Sequence, residues 1–319
     1  MSDAAPATAR IVAAFLAVYV VWGSTYLGIR VALESMPPYV MAGTRFFASA
    51  ALMTAWALRA RAPRPDRQDL RTGLLTGLLM LSVGNGTVTW ASQYTASGRI
   101  ALVVALTPVW MTLFDWARPQ GVRPARLELA GLVVGFLGVA WLIGPDAWGG
   151  THDATVFGAE LLVVAGSMSW GGGSLLTRYA RGRTTPAMRT ALQMWVAGAA
   201  LSAVAIVRGE WGALDLSAVT LRSWLAWGYL VTFGSLVGFS AYVWLLKVVT
   251  PAKAATYAYV NPAVALFLGW WLLDEPLSSR TIAASAVIIG GVAAVTLARR
   301  PAPVPAAAET DETPIGEVA

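Results

Sequence analysis

WGSTYLGIR at residues 22–30 and WGGGSLLTR at residues 170–178 are two versions of one sequence pattern, 148 positions apart. A later pair follows in the same order, because an offset of 154 positions places Gly84 over Gly238. Both patterns lie in apolar stretches that are bounded by charged residues. Self-similarity at a long, nearly constant spacing predicts that the chain contains an internal duplication.

The composition places most of this chain in lipid. Of its 319 residues, 57% are hydrophobic and only 13% are charged, which is far from the usage of soluble domains. A net charge of +6 would suggest a nucleic-acid surface in a soluble protein. Here nearly all Lys and Arg residues lie near the ends of apolar runs, so the charge indicates membrane topology and we expect no nucleic-acid partner.

Charged residues divide the chain into apolar runs of the length that an α-helix needs to cross a bilayer, about 20 residues. The first run is longer than the core of a signal peptide and is followed by further runs, so we expect it to be retained. The predicted fold is therefore an all-α integral membrane protein. Its ten transmembrane helices are predicted at 11–33, 38–58, 70–93, 97–116, 125–144, 156–178, 187–207, 222–246, 252–273 and 279–298.

The distribution of cations predicts the orientation of these helices. With the N-terminus in the cytoplasm, 17 Lys and Arg residues lie at cytoplasmic ends and loops and 5 on the opposite face. Cytoplasmic loops hold such an excess, so both termini are predicted to be cytoplasmic. Each copy of the repeat then has five helices, an odd number, and the second copy is inverted. Inverted repeats can exchange conformations around one central site; the alternative is duplication of a stable bundle.

The predicted organisation has five parts. A cytoplasmic N-terminal tail covers residues 1–9, and the first five-helix repeat covers 10–144. A periplasmic loop at 145–155 leads to the second repeat at 156–299. The remaining residues, 300–319, are rich in Pro, Ala and acidic residues without apolar periodicity, which predicts a disordered cytoplasmic tail.

Several short motifs together carry a resemblance to a known family. They are WGS at 22–24 with Arg30, PP at 37–38, MAGTRF at 41–46, GNG at 84–86 and ATYAYVNP at 255–262. In this order and spacing the chain resembles the EamA-type transporters of the drug/metabolite transporter superfamily. The resemblance implies ten helices in two EamA repeats, both termini in the cytoplasm, and export of amino acids, other metabolites or drugs across a bacterial inner membrane.

One acidic position agrees with that family and another departs from it. The family usually has an acidic residue after the ninth helix and after the fourth. Glu275 in LLDEPLS fits the former position, whereas RPQGVRP at 118–124 has no acidic residue. The two repeats therefore differ at this loop, since only the second carries the acidic residue.

Motifs of enzymes are absent from the sequence. It contains no HExxH, no G-x-S-x-G and no Walker A motif. Cysteine is also absent, which excludes Cys-based metal or redox sites, and the one histidine is His152 in a glycine-rich loop. We expect no catalytic residues, no metal and no cofactor. The prediction is a secondary transporter of a small-molecule substrate in a lipid bilayer; a channel, a scramblase or a non-transporting membrane protein is the alternative.

Two matched prolines indicate where a substrate site could lie. Pro108 and Pro262 fall near the middle of predicted spans four and nine. Proline lacks an N–H, so each leaves the carbonyl four residues before it without its helical partner. Thr107 and Asn261 directly precede the prolines and place polar atoms at the same depth. These four residues are predicted to form part of the site; the alternative is a pair of packing kinks.

Other polar side chains inside the spans are further candidates. Arg45 lies well inside span two, where a charge must face protein, water or an interface. It could bind a substrate carboxylate, reach toward the headgroups or pair with Glu34. Asn85, Thr89 and Gln193 either line the cavity or form interhelical hydrogen bonds.

Aromatic residues and one carboxylate complete the predicted site. Glu160 is the one carboxylate well inside a span and is a candidate for proton coupling, although a position near a helix N-terminus also explains it. Arg99 and Lys253 start matched helices, and a lipid, carboxylate or vestibule contact is open for both. Aromatic walls suit amphipathic solutes, and the aromatic candidates are Trp22, Tyr26, Trp170, Tyr242, Tyr257 and Tyr259.

Overall fold

A computed structural model describes residues 8–119, 121, 123–148, 154–249, 254 and 256–298. Within these ranges every regular element is helical. The predicted C-terminal tail, His152 and Lys253 lie outside the described residues, and so do parts of the predicted N-terminal tail and periplasmic loop.

A helix lies at each of the predicted spans. Among the described residues, six helical segments are long and apolar enough to cross a membrane: Thr8–Ala32, Arg67–Ala91, Ser97–Trp116, Ala154–Tyr179, Pro186–Val207 and Leu221–Val248. The crossing of all ten stays a prediction. The segments are α1 (Thr8–Ala32), α2 (Pro38–Arg59), α3 (Arg67–Ala91), α4 (Ser97–Trp116), α5 (Arg126–Trp148), α6 (Ala154–Tyr179), α7 (Pro186–Val207), α8 (Leu221–Val248), α9 (Tyr257–Leu273) and α10 (Ser279–Ala298). A single helical turn, Glu210–Ala213, follows α7.

Side-chain caps and prolines fix several of the helix starts. A capping box opens α3, because Asp66 accepts from the Asp69 N–H and the Asp69 side chain accepts from the Asp66 N–H. Thr185 caps α7 by accepting from the N–H of Met188 at 3.3 Å. Both α2 and α7 have proline in the first turn, where no N–H is needed.

The two halves of the chain interlock through matched small residues. Gly43 of α2 is in close contact with Ser202 of α7, and a Cβ on Gly198 would lie 2.6 Å from Cδ1 of Phe47. An offset of 155 positions relates Gly43 to Gly198 and Phe47 to Ser202. The two contacts are therefore one contact repeated, and they require α2 and α7 to run antiparallel.

The same relationship holds between α5 and α10. A Cβ on Gly138 would lie 2.7 Å from Cγ1 of Ile288, and one on Gly291 would lie 2.5 Å from the N of Gly135. An offset of 153 positions relates these two contacts. These contacts agree with the sequence match in the fifth helix of each half, where GV at 138–139 is equivalent to GV at 291–292.

In the part of the chain that the structure describes, three stretches of π-helix interrupt the α-helical segments. They are Ala17–Trp22 in α1, Gly77–Asn85 in α3 and Leu230–Phe239 in α8. An offset of 154 positions maps residues 77–85 onto 231–239, so α3 and α8 carry the π-helix at matched positions. π-helical turns are rare in proteins, and those that occur often lie at functional sites. This matched pair therefore indicates that a functional site lies in the middle of the bundle.

Candidate functional site

A cavity lies at the centre of the bundle, between α1, α2, α3, α4, α6, α8 and α9. About 680 Å³ of space between its lining residues is free of protein atoms, and this figure includes space that is open to solvent. Six of the predicted site residues line it: Trp22, Tyr26, Arg45, Asn85, Trp170 and Tyr257. The sequence-based reasoning missed the other lining residues, which are Thr25, Ile29, Phe46, Leu81, Gly84, Val88, Val104, Gly166, Ser167, Gly234, Ser235 and Phe239.

The two tryptophans that the repeat matches meet in this cavity. The rings of Trp22 and Trp170 are edge to face, with centroids 5.5 Å apart and planes at 84°. A Cβ on Gly84 would lie 3.0 Å from Cε3 of Trp170, and one on Gly238 would lie 2.5 Å from Nε1 of Trp22. Each tryptophan thus packs on the matched glycine of the opposite half.

Tyrosines extend this aromatic wall. Tyr257 lies edge to face with Trp22 at 5.4 Å, and the Tyr242 ring lies 4.9 Å from Trp22. Tyr242 is fully buried behind the wall, where its hydroxyl donates to Oγ of Ser174 at 2.8 Å. The Tyr259 side chain lies outside the described part of the structure.

Arg45 brings a buried charge to the cavity. Only 4% of the residue is exposed, and its Nε donates to Oγ of Ser235 at 2.9 Å. Its Nη1 is buried without a hydrogen-bond partner among the described residues. Glu34, the partner considered from sequence, instead lies 3.5 Å from Arg222. In the described part of the chain, therefore, no carboxylate neutralises Arg45.

Asn85 presents a second polar atom to the cavity. It ends the π-helical stretch of α3, and its buried Oδ1 has no partner among the described residues. The nearby Ser167 hydroxyl is already satisfied, since it donates to the Val164 carbonyl at 2.7 Å and accepts from Nε1 of Trp110 at 3.0 Å. Nε1 of Trp170 is likewise buried without a hydrogen-bond partner among the described residues. The mostly apolar wall of the cavity thus contains two unused donor groups, on Arg45 and Trp170, and one unused acceptor, on Asn85.

The first of the matched prolines lies beside the cavity and does not line it. Thr107 is fully buried, and its hydroxyl donates to the carbonyl of Val104 at 2.8 Å. That is the carbonyl which Pro108 leaves without a helical partner. The break in α4 is therefore satisfied locally, and Val104, not Thr107, faces the cavity.

The second matched proline has the same relation to the cavity. In the orientation that satisfies its neighbours, the Asn261 amide donates to the carbonyls of Tyr19 at 3.1 Å and Tyr257 at 3.3 Å. Tyr19 belongs to the π-helical stretch of α1, so Asn261 ties α9 to that stretch. Neither Asn261 nor Pro262 lines the cavity, whereas Tyr257 does.

Two further polar candidates form hydrogen bonds within the bundle. Gln193 of α7 donates to Oγ1 of Thr76 at 2.7 Å and of Thr177 at 3.4 Å, which joins α7 to α3 and α6. Thr89 donates to the carbonyl of Asn85 at 2.9 Å. Gln193 and Thr89 are both buried away from the cavity wall.

Glu160 pairs with an arginine on another helix. Its Oε1 lies 2.7 Å from Nε of Arg99 and accepts from the Thr95 hydroxyl at 3.2 Å. Glu160 is 1% exposed and does not line the cavity. The sequence left a lipid, a carboxylate or a vestibule contact open for Arg99. In the structure Arg99 contacts a carboxylate, that of Glu160.

Matched arginines cap helix ends at opposite ends of the bundle. Nη1 of Arg178, the last basic residue of α6, donates to the carbonyl of Leu246 in α8 at 2.7 Å. Its repeat equivalent, Arg30, donates in the same way to the carbonyl of Ser92, the equivalent of Leu246. Each half therefore connects its first and third helices through one arginine.

An internally duplicated bundle of apolar helices around a central cavity is the architecture of a membrane transporter. The comparison with families agrees, because residues 9–144 and 157–297 both match the EamA-like transporter family. The chain belongs to the EamA-like transporter family.

Individual relatives are membrane transporters by name. The chain is 40% identical over 290 residues, 90% of each protein, to a protein of Escherichia coli K12 named "Uncharacterized inner membrane transporter YedA". It is 25% identical over 287 residues, 87% of this chain and 91% of the relative, to the "Probable amino-acid metabolite efflux pump" of the same strain. A solved crystal structure shares the fold, with a TM-score of 0.65 at 20% identity over 91% of this chain and 97% of that one. The protein is therefore a multi-pass membrane transporter.

Proposed function

We propose that this protein is a secondary transporter that exports small metabolites, such as amino acids or amphipathic drugs, across a bacterial inner membrane by alternating access. In this proposal ten helices cross the membrane as two inverted repeats, and both termini are cytoplasmic. The observation that carries the proposal is the contact of Trp22 with its repeat equivalent Trp170 in the wall of the central cavity.

Matched residues that touch lie near the axis that relates the two halves. A site on that axis has equivalent walls from both repeats, so the halves can exchange conformations without moving the site. The π-helical stretches in α3 and α8 occupy matched positions beside the cavity. Bending at these stretches would open one end of the cavity or the other at similar energy.

The chemistry of the cavity suits small amphipathic solutes. Most of its wall is aromatic or aliphatic, with few polar groups, as in sites that bind small molecules. Aromatic faces stack on planar groups and attract cations. The relative named as an amino-acid metabolite efflux pump supports both the substrate class and the outward direction.

An ion gradient, not ATP, is the proposed source of energy. No phosphate-binding loop occurs in the sequence. Glu160 is the proposed coupling residue, because its carboxylate joins α6 to Arg99 of α4 at 2.7 Å. Protonation of Glu160 would weaken that contact and so link proton binding to the packing of two helices beside the cavity.

Two experiments together test the proposal. Untargeted metabolomics of cells that overexpress the protein identifies the exported solutes, and counterflow in proteoliposomes then tests the carrier mechanism. We expect saturable counterflow that Trp22→Ala abolishes. Trp56→Ala is the matched control, since Trp56 is 60% exposed on the outside of α2. Conductance that does not saturate would favour the channel alternative and overturn the proposal.

A further inference from the structure

We propose that Arg45 selects the cargo and that the cargo is an amphipathic organic anion, a molecule with a carboxylate at one end and an apolar body at the other. This inference rests on the proposed transport function and names the substrate class that the cavity would accept. It assigns the carboxylate to the Arg45 guanidinium and the apolar body to the aromatic wall.

Arg45 is a buried cation in the cavity wall. The residue is 4% exposed and lines the cavity, yet no carboxylate of the described residues forms an ion pair with it. A buried charge is normally paired or faces a functional pathway. An anionic cargo would supply the missing partner only while it is bound, which is the behaviour that a transport site needs.

The guanidinium is held in place by the opposite half of the molecule. Ser235 of α8 accepts from Arg45 Nε at 2.9 Å, which leaves Nη1 as the unsatisfied buried donor. Gly234 makes room for the head group, because a Cβ there would lie 3.1 Å from Arg45 Nη2. Both residues belong to the π-helical stretch of α8. A guanidinium fixed at one edge and free at the other can bind a carboxylate through its free edge.

The remaining wall matches the rest of such a molecule. Trp22, Trp170 and Tyr257 present aromatic surface for an apolar body. Asn85 presents a buried Oδ1 without a partner among the described residues, which can accept from an N–H or O–H of the cargo. The cavity wall contains no described carboxylate, so it offers no ion pair to a cationic head group.

The test measures binding to the purified full-length protein in detergent by the shift of its thermal unfolding midpoint. The probes are matched pairs with one apolar body: indole-3-acetate with tryptophol, and 4-methylpentanoate with 4-methylpentanol. Tryptamine is the cationic probe. We expect both carboxylates to raise the midpoint and the alcohols and the amine to have little effect.

Variants connect this preference to Arg45. Arg45→Gln is expected to weaken carboxylate binding about tenfold or more, the usual loss for a hydrogen bond to a charged group. Arg45→Lys keeps the positive charge but lacks the planar, two-pronged guanidinium, and it is expected to weaken carboxylate binding less than Arg45→Gln does. Arg222→Gln is the matched control, because that cation is 58% exposed away from the cavity. If Arg45→Gln does not fold, Ser235→Ala tests the same site by releasing the guanidinium, and weaker carboxylate binding is again expected.

Three results would overturn the inference: no carboxylate stabilises the protein, the alcohols or tryptamine stabilise it equally, or the carboxylate effect persists in both Arg45→Gln and Ser235→Ala. Failure of the transport proposal looks different. Selective carboxylate binding without saturable counterflow would remove the transport function and leave the anion site. Counterflow that is indifferent to Arg45 would leave the transport function and remove the site.

Discussion

Lys247 and Arg178 cap each other's helices. Lys247 Nζ donates to the Arg178 carbonyl at the end of α6 at 2.7 Å, while Arg178 Nη1 donates to the Leu246 carbonyl near the end of α8 at 2.7 Å. Cations at helix C-termini also interact favourably with the helix dipole. At the matched end of the bundle Arg30 makes the corresponding bond, but Gln93 occupies the position of Lys247. The end that the proposed topology places in the cytoplasm is therefore held by the larger number of bonds.

Replacement of Lys247 should loosen that end. Lys247→Gln copies the residue at the matched position, and the loss of a partly exposed cation from a helix terminus is worth about 0.5–1 kcal/mol, or a two- to fivefold shift in population. The chain has no cysteine, so Val104→Cys places a single thiol in the cavity wall. We expect Lys247→Gln to speed labelling of that thiol from the cytoplasmic side. The reciprocal Gln93→Lys should slow labelling from the opposite side; unchanged rates in both would contradict this account.

The matched glycines should be intolerant of any side chain. Gly238→Ala places a methyl group 2.5 Å from Trp22 Nε1, which must displace the ring and break its 3.2 Å hydrogen bond to the Gly234 carbonyl. Overpacking of this kind costs about 1–3 kcal/mol. We expect a lower unfolding midpoint and loss of counterflow in Gly238→Ala, with a milder effect in Gly84→Ala.

Gly158 provides the control for this pair. It also lies in a helix, but a Cβ there would have no neighbour within 4 Å. Gly158→Ala should retain counterflow and gain slightly in stability, since alanine is the better helix former. Equal losses in all three variants would show that the effect is not a matter of contact with the tryptophans.

The sequence predicted the positions of the helices and part of the cavity. Charged residues locate the ends of apolar runs, because their burial in lipid is costly. The offset of 148 positions identifies Trp22 and Trp170 as equivalent residues of the two halves, but the contact between their rings is seen only in the structure. Arg45 was identified for a related reason, because a cation inside an apolar run needs a polar environment.

Other parts of the site could not be predicted from the spacing of residues in the sequence. Leu81 and Phe239 line the cavity, but apolar residues of this kind are equally common in packed interfaces. The π-helical stretches alter which side chains share a face, and nothing in the residue types indicates where they start. For Gln193 the sequence leaves a cavity position and an interhelical hydrogen bond equally open, because either would satisfy a polar side chain inside a span. In the structure its amide donates to the hydroxyl of Thr76 on a neighbouring helix at 2.7 Å.

Asn261 should act on stability more than on affinity. Its amide joins α9 to the carbonyls of Tyr19 and Tyr257 and does not line the cavity. Asn261→Ala removes this hydrogen-bonded link between α9 and the π-helical stretch of α1, and one such hydrogen bond contributes about 0.5–1.5 kcal/mol to stability. We expect a lower unfolding midpoint and a reduced maximum rate of counterflow, with the half-saturating substrate concentration unchanged. A large change in the half-saturating concentration alone would contradict this expectation and indicate that Asn261 contacts the substrate.

Glu160 offers the sharpest test of energy coupling. Its carboxylate is buried against Arg99 of α4 at 2.7 Å and lies outside the cavity wall, so a change there should spare substrate binding. Glu160→Gln keeps the size and the hydrogen bond from Thr95 but cannot gain or lose a proton. If proton binding at Glu160 drives transport, this variant should keep substrate counterflow and lose the stimulation by a pH gradient. Arg99→Gln separates coupling from packing, because it breaks the same contact between α4 and α6 but retains the carboxylate of Glu160. Gradient stimulation that survives in Glu160→Gln would exclude this residue as the coupling site, whereas loss in Glu160→Gln with retention in Arg99→Gln would assign the coupling to the proton itself.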